Sequence, residues 1–293
     1  AMGVAVASAL VVEDVATALR GLDPRRHLIF NWCEGLDGYP RGYDLVPPVL
    51  EAHGFAYTGA DAWTLTMTQN KAFARDVLVK HGVPTPLGKV YTRPSANGWK
   101  RFPALVKPAS EHSSLGIDRH SVVDDPAHLS ERIEFVLDTF KCEALVEDFI
   151  DGTEYNVSLW GNDGGEIRAL PINAIDFHEF ADYHDRLVVY DAKWSPESVA
   201  YNLTFVECPA RLEPALQGPL EAAARAAYRA LRVRDYGRID IRIRNGQPFV
   251  LDVNSNPDIT IEGGFARSAR AAGFDYGQTL AAILAMAADR MPD

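Results

Sequence analysis

The stretch FVLDVNSNPDIT, residues 249–260, decides how this chain is read. It opens like a buried strand, with Phe249, Val250, Leu251 and Val253 supplying bulk, yet Asp252, Asn254 and Asn256 alternate through it. Strand side chains alternate with period two, so Asp252 and Asn254 point the same way. The preceding stretch YGRIDIRI, residues 236–243, reads as the partner strand, joined around Asn245-Gly246, a pair suited to a hairpin turn. A register that sets Asp240 opposite Asp252, with residues 245–247 as a three-residue connection, adds Asp240 and Arg238 to the same face. Three oxygen-bearing side chains then converge beside one guanidinium. Hard oxygens of this kind suit Mg2+, which prefers one or two carboxylates plus substrate phosphates to a full protein cage. Taken alone, an antiparallel sheet with one solvated polar face accounts for the same pattern.

The 293 residues are 47% hydrophobic and 24% charged, enough apolar content for more than one core. A formal net charge of −11 argues against nucleic acid or an anionic membrane as the main partner, and leaves room for a local basic pocket that takes a phosphate-bearing small molecule. Cys33, Cys142 and Cys208 are widely spaced and form no CxxC pair, so they read as free thiols of a cytoplasmic protein. The longest apolar runs, residues 3–12 and 280–288, are too short to span a bilayer. The N-terminus lacks the basic region of a signal peptide, and Ala1-Met2 reads as an expression scar.

Hydrophobic spacing divides the chain by texture. Strands are expected at residues 3–7, 27–32 and 55–57, and helices at 13–22, 45–53 and 68–81, the last stopped by Gly82 and Pro84. That opening third is a small alternating β/α domain. Beyond it, strands are expected at 89–92, 104–107, 142–149, 154–160 and 168–175, with a helix at 126–140. A polar, aromatic segment, residues 178–202, is too long for a plain connector and reads as a lid. An alanine-rich helix at 219–231, the hairpin and a final helix at 276–290 complete the chain.

Three further stretches carry candidate chemistry. In KPASEHSSLGI, residues 107–117, a strand ends at Lys107 and runs into a Ser/Gly loop whose backbone N–H groups could wrap phosphate oxygens, although an ordinary polar loop has the same composition. LVEDFIDGTEYNV, residues 145–157, delivers Glu147 and then Glu154 from an apolar strand. VVYDAKWS, residues 188–195, sets Lys193 among aromatics inside the lid, where it could close over a phosphorylated substrate or simply be surface. No Walker A or GxGxxG pattern is present. His178 and His184 form no standard metal spacing and read as surface or packing residues.

The order of these stretches says more than any one of them. YTGADAWTLTMTQNKAFARDVLVKHGVPTP, FPALVKPASEHSSLGI, LVEDFIDGTEYNV, YDAKWS and YGRIDIRI…FVLDVNSNPDIT follow one another in a succession that resembles the ATP-grasp ligases, and among them the D-alanine–D-alanine ligase branch, over roughly residues 28–290. The resemblance implies an α/β (α+β) ATP-grasp fold. Its parts would be an N-terminal βα domain (1–66), a central subdomain (67–149) and a C-terminal subdomain with the metal site (150–293), the two sheets clasping ATP. It implies a ligase that phosphorylates a carboxylate to an acyl phosphate and lets an amine displace the phosphate, joining two amino-acid-like substrates. Alternatives are a D-alanine–D-alanine ligase proper, or a nucleotide-binding protein without turnover.

Carried over by position, Lys71 and Lys107 match the lysines on the nucleotide phosphates, and Ser113 and Ser114 the phosphate-covering loop. Glu147, Phe149 and Ile150 match the adenine strand, and Glu154 the ribose carboxylate. Asp240, Asp252 and Asn254 match the ligands of two Mg2+ ions, for which Mn2+ could substitute. Arg238 matches the residue that stabilises the acyl phosphate and the oxyanion, and Lys193 the γ-phosphate clamp. Glu13 matches the carboxylate that holds the first amino group. A homodimer is implied through the first domain, which looks one β/α unit short.

The departures fall mostly on the substrate side. The branch has Glu at Asp252, Gly at His112 and Tyr at Trp194. Its NxxPGMTxxSL ending becomes NSNPDITIEGG, with Asp258 near the oxyanion site and Gly263-Gly264 where a Ser-Leu pair would meet the second substrate. CEGLDG echoes the first-domain HG…GEDG loop only in part.

Overall fold

The computed structural model describes residues 5–11, 14–36, 42–111, 114–195 and 197–292. Helix α1 (Val15–Ala18) is capped by Asp14, and α2 (Val46–Ala52) follows a 3-10 turn. The strands expected in this opening region are not there among the described residues. Ile29 and Tyr57 form an isolated parallel bridge, and residues 5–7 are exposed and irregular. Too few neighbours pair to make a ladder, and Val15, Leu19, Val46, Leu50, Phe55 and Tyr57 pack into a small core here.

The helix expected at 68–81 is two helices. Asn70 takes extended backbone between α3 (Ala62–Gln69) and α4 (Lys71–Lys80), and its side chain accepts from the backbone N–H groups of Ala72 and Phe73. Asparagine competes for helix-end N–H groups, so it starts the second helix where periodicity alone reads through. The break puts Lys71 at the first position of α4, its N–H bound to the carbonyl of Ala109 at 2.8 Å.

Strands β1 (Gly88–Tyr91), β2 (Ala104–Pro108) and β3 (Val122–Val123), helix α5 (Pro126–Phe140) and strand β4 (Ala144–Asp148) make the first sheet, in the antiparallel order β1-β4-β2-β3. Asp125 caps α5, whose Leu129, Ile133 and Val136 are fully buried on Val106, Ala144 and Val146.

Strand β5 (Glu154–Trp160) begins the second sheet. The strand expected at 168–175 is broken at Pro171 into β6 (Arg168–Ala169) and β7 (Asn173–Asp176). The lid contains a 3-10 turn, Tyr183–Asp185, then α6 (Asp191–Trp194) and α7 (Val199–Leu203), and returns as edge strand β8 (Phe205–Glu207). Helix α8 (Pro214–Ala230) starts earlier than expected because Pro214 sits in its first turn and Pro219 is tolerated inside. Strands β9 (Tyr236–Arg244) and β10 (Gln247–Asn254) close the antiparallel path β10-β9-β5-β7-β8. Helices α9 (Gly264–Ala271) and α10 (Tyr276–Ala288) follow, α9 being unforeseen in the sequence.

The hairpin reaches the expected pairing by another route. Asn245 and Gly246 both have positive φ (55° and 76°), the requirement of a two-residue turn, and Gln247 pairs with Arg244. Continued without interruption, that register would set Leu251 opposite Asp240. A bulge between Val250 and Asp252 shifts it, and Asp252 stands opposite Asp240 after all. The same shift lets both Val250 and Val253 face α8, in the core that Val157, Leu159, Ile239 and Ile241 share with Leu220, Ala224, Ala227 and Tyr228.

Candidate active site

On the other face of the second sheet, β5, β9 and β10 lay down polar rows. Ser158 stands opposite Arg238, and Arg238 opposite Asn254. Asn156 stands opposite Asp240, and Asp240 opposite Asp252. Glu154 stands opposite Arg242. Asp240 is the hub. Arg238 forks onto it, Nε to Oδ1 at 2.8 Å and Nη2 to Oδ2 at 2.9 Å. Asn156 Nδ2 donates to Oδ1 at 2.8 Å and Asn254 Nδ2 to Oδ2 at 2.9 Å. Burial opposes the charge on Arg238, but Asp240 and then Asp252 outweigh it and raise its pKa above the ordinary value.

The first sheet brings its own charges to this face. Lys107 and Glu147 form an ion pair at 2.7 Å with both side chains about 95% buried, and Lys107 Nζ also donates to the carbonyl of Leu251, the bulge residue, at 3.3 Å. Burial works against the charge on Lys107, yet Glu147 and Asp252 outweigh it and its pKa rises. Lys71 is buried as well and donates to the carbonyl of Glu111. Here burial wins over Asp252 and Glu147, and its pKa falls. Lys71, Glu147, Leu251 and Asp252 line one small cavity, so residues expected from three separate stretches meet in one cleft.

Phe149 is buried under the lid residues Tyr183, Leu187 and Val189, and Ile150 is buried beside it. Glu154 is ion-paired with Arg242 at 3.2 Å. Ser114 takes left-handed backbone (φ 64°) where the phosphate-loop candidate turns back toward α5, and Arg132 Nη2 holds the carbonyl of Gly116 at 2.9 Å. Asp258 and Gly263 adjoin each other at the start of α9. A Cβ on Gly263 would lie 2.9 Å from the Asp258 carbonyl oxygen, so this turn excludes the side chain that the branch carries there. Lys193 and Trp194 lie on α6, their side chains outside the described residues. Glu13, His112 and Ser113 also lie outside the described residues.

The donor set fits a hard cation. Two aspartates directly opposed across a ladder repel each other, a cost that Arg238 offsets in part and that a bound cation would reduce further. Among the described residues no three carboxylate, histidine or cysteine side chains group to hold an ion alone.

Sequence reasoning missed three contributors. Asn156 and Ser158 continue the alternation of Glu154 through EYNVSLW, a signal that was legible. His184 bridges Asp182 (Nδ1, 2.6 Å) and Asp124 (Nε2, 2.9 Å) and so ties the lid to the flank of the first sheet, a specific contact beyond the surface or packing role read for it.

The family model described as "D-ala D-ala ligase C-terminus" matches residues 90–285. A protein of Sinorhizobium fredii named uncharacterized protein y4sG is 34% identical over 262 residues, 89% of this chain and 74% of that one. The D-alanine–D-alanine ligase of Halorhodospira halophila is 30% identical over 276 residues, 89% of this chain and 83% of that one. Among solved structures, the D-alanine–D-alanine ligase of Bacillus anthracis superposes with a TM-score of 0.65 at 25% identity, covering 85% of this chain and 77% of that one. The VanG D-Ala:D-Ser ligase of Enterococcus faecalis shares the fold with a TM-score of 0.65 at 21% identity, covering 83% and 68%.

Proposed function

The chain belongs to the D-alanine–D-alanine ligase family and is an ATP-dependent ligase that joins a carboxylate to an amine, and from that premise we propose that the cleft between its two sheets carries the reaction. The observation that supports this most is the row of charges at Asp240: an arginine fork on one carboxylate, a second carboxylate opposite, and a buried lysine reaching over from the other sheet.

In this reading the carboxylate of an amino-acid-like substrate attacks the γ-phosphorus of ATP, and ADP leaves. The amine of a second substrate then attacks the acyl carbon, loses a proton, and phosphate leaves. Lys71 and Lys107 hold the nucleotide phosphates. Burial disfavours the charge on Lys71, and an incoming phosphate would favour it. Ser113 and Ser114 cover the phosphates, Lys193 closes on them from the lid, and Glu147, Phe149, Ile150 and Glu154 form the nucleotide floor. Asp240, Asp252 and Asn254 would hold Mg2+, which would neutralise phosphate charge. Arg238 commits Nε and Nη2 to Asp240, and Nη1 stands outside that contact, a fixed cation for the acyl phosphate and the oxyanion. Asp252 is one methylene shorter than the family's glutamate, so its carboxylate reaches less far from β10.

The acceptor side is where we part from D-alanine. Asp258 occupies the turn before α9, with Gly263 packed on its carbonyl, and Glu13 and Trp194 complete the substrate residues in this proposal. An anionic side chain there favours an acceptor with a hydrogen-bond donor or positive charge near its reacting amine. Free, half-buried Cys33, Cys142 and Cys208 suit the cytoplasm we assign to the protein. No helix among the described residues is long and apolar enough to cross a membrane. A homodimer is the assembly we propose, to be checked by light scattering.

The test is ADP release in Mg2+ buffer against a panel of D- and L-amino acids paired with amine acceptors. Turnover that needs both a carboxylate donor and an amine is expected. ATP binding without turnover on any pair would leave a nucleotide-binding protein instead.

A further inference from the structure

Arg242 is the most heavily engaged side chain near the cleft that neither the sequence nor the proposed chemistry uses. Its side chain is 3% exposed. Nε donates to Glu154 Oε2 at 3.2 Å, Nη1 to the carbonyl of Ile150 at 2.9 Å and Nη2 to the carbonyl of Arg186 at 2.9 Å. The guanidinium carbon lies 5.8 Å from the ring centroid of Phe149 and 5.0 Å from that of Phe177. Each partner belongs to one of two things. Glu154, Ile150 and Phe149 form the proposed nucleotide floor, and Arg186 and Phe177 frame the start of the lid. The Arg186 guanidinium then returns to Asp151 at 2.8 Å and to the carbonyl of Phe180 at 3.0 Å, so two arginines lace the lid to the end of the nucleotide strand.

We propose that Arg242 is a positioning residue that couples nucleotide binding to lid closure, by holding the Glu154 carboxylate, the Ile150 carbonyl and the lid backbone at Arg186 on one guanidinium. This rests on reading the cleft as the nucleotide site. A planar fork is suited to the task, because three fixed N–H directions meet three acceptors in one rigid group. Lysine, a point charge with rotatable donors, cannot serve all three. With Arg242 in place the Glu154 carboxylate is oriented before nucleotide arrives, and less ordering is left for the binding step. Without it, Glu154 loses the Arg242 fork and the Arg186 carbonyl loses its donor, so the tie between floor and lid is weakened.

The experiment measures ADP binding in Mg2+ buffer by calorimetry, and ADP-dependent protection of residues 178–202 from limited proteolysis, for the parent, Arg242→Met, Arg242→Lys and Glu154→Gln. Arg242→Met is expected to weaken ADP binding at least tenfold and to abolish ADP-dependent lid protection. Arg242→Lys should recover part of the affinity and little of the protection. The double variant Glu154→Gln/Arg242→Met should bind ADP no worse than the weaker single variant. If Arg242→Met only lowers the thermal midpoint, with ADP affinity within twofold of the parent and the lid still protected, the coupling role is overturned and Arg242 is a structural staple. If Arg242→Met does not fold, Arg242→Lys decides: parent-like affinity and protection overturn the proposal, and partial affinity with lost protection supports it. If Glu154→Gln binds ADP like the parent, the ribose reading of Glu154 fails and the inference falls with it. If Glu154→Gln loses affinity and the Arg242 variants do not, the inference alone fails.

Discussion

The two faces of the sheet strands β5, β9 and β10 are made by the same residues in alternation and do opposite work. On one face Val157, Leu159, Ile239 and Ile241 are fully buried under α8. On the other, Glu154, Asn156, Arg238, Asp240, Arg242, Asp252 and Asn254 crowd charges and amides at hydrogen-bond distance. Water loss from apolar surface stabilises the first face without regard to direction. The second is held only by the match of donors to acceptors, and one missing partner there leaves a charge that burial penalises. A mutation should therefore be felt as lost chemistry on one face and as lost stability on the other.

Arg238→Ala is the sharpest way to break that contrast. Product formation should fall by about a thousandfold or more, the scale expected when a fixed cation is removed from developing charge. ADP affinity should stay near the parent's, because Asn156 and Asn254 still hold Asp240. Steady-state turnover together with calorimetry checks this, and a large loss of nucleotide binding would contradict the role given to Arg238. One residue along on the opposite face, Ile239→Ala should cost about 3 kcal/mol of stability by emptying a site with no solvent access. Denaturant titration reads that loss, and kcat per folded molecule should be unchanged within a few-fold. A smaller effect with reversed sign is expected from Ser158→Ala. The Ser158 hydroxyl is buried without a hydrogen-bond partner among the described residues, so its removal should leave stability equal or raise it by up to about 1 kcal/mol.

Much of this was readable from the residues. The pairing of Asp240 with Asp252 was expected, although from a three-residue connection that the structure replaces with a two-residue turn and a bulge, and both lysines and Glu147 come from the stretches singled out in the sequence. What was not readable is where alternation is broken. Val250 and Val253 both face α8 although they are three apart, which period two forbids and a bulge permits. The break at Asn70 was hidden for a similar reason. Apolar spacing runs through it, and only its side-chain bonds to Ala72 and Phe73 show that a new helix starts there. In the opening region the apolar residues suggested strands, yet they bury against one another and pair at one bridge, Ile29 with Tyr57. Composition near Arg242 reads as an ordinary strand, because a guanidinium's partners are brought together by β5, β9 and the lid, not by neighbouring sequence.

The covers of the two faces differ in kind as well, and this gives the smallest of the expected effects. The apolar face is covered by α8, whose contacts do not titrate. The polar face is covered by a lid latched through ions: His184 between Asp182 and Asp124, Tyr183 on Asp124 at 2.5 Å, and Arg119 on Asp182 and Asp185. Both ring nitrogens of His184 face carboxylates, so both must carry a proton for the latch to be complete. Burial disfavours that charge, but the bonds to Asp182 and Asp124 outweigh it and raise the pKa above 6.5. Tyr183 stays protonated across the neutral range because its bond to Asp124 pushes it up to about 12. The latch energy from His184 is therefore fully present below about 6.5 and is lost as pH rises through the higher folded-state value. Hydrogen exchange over residues 178–190 should quicken a few-fold as the pH is raised from 6 to 9, after correction for the intrinsic rate. His184→Ala should remove that dependence while leaving exchange in β9 untouched. If the lid's protection shows the same pH dependence with and without the imidazole, the cover of the polar face is held by packing after all, as α8 is on the other side.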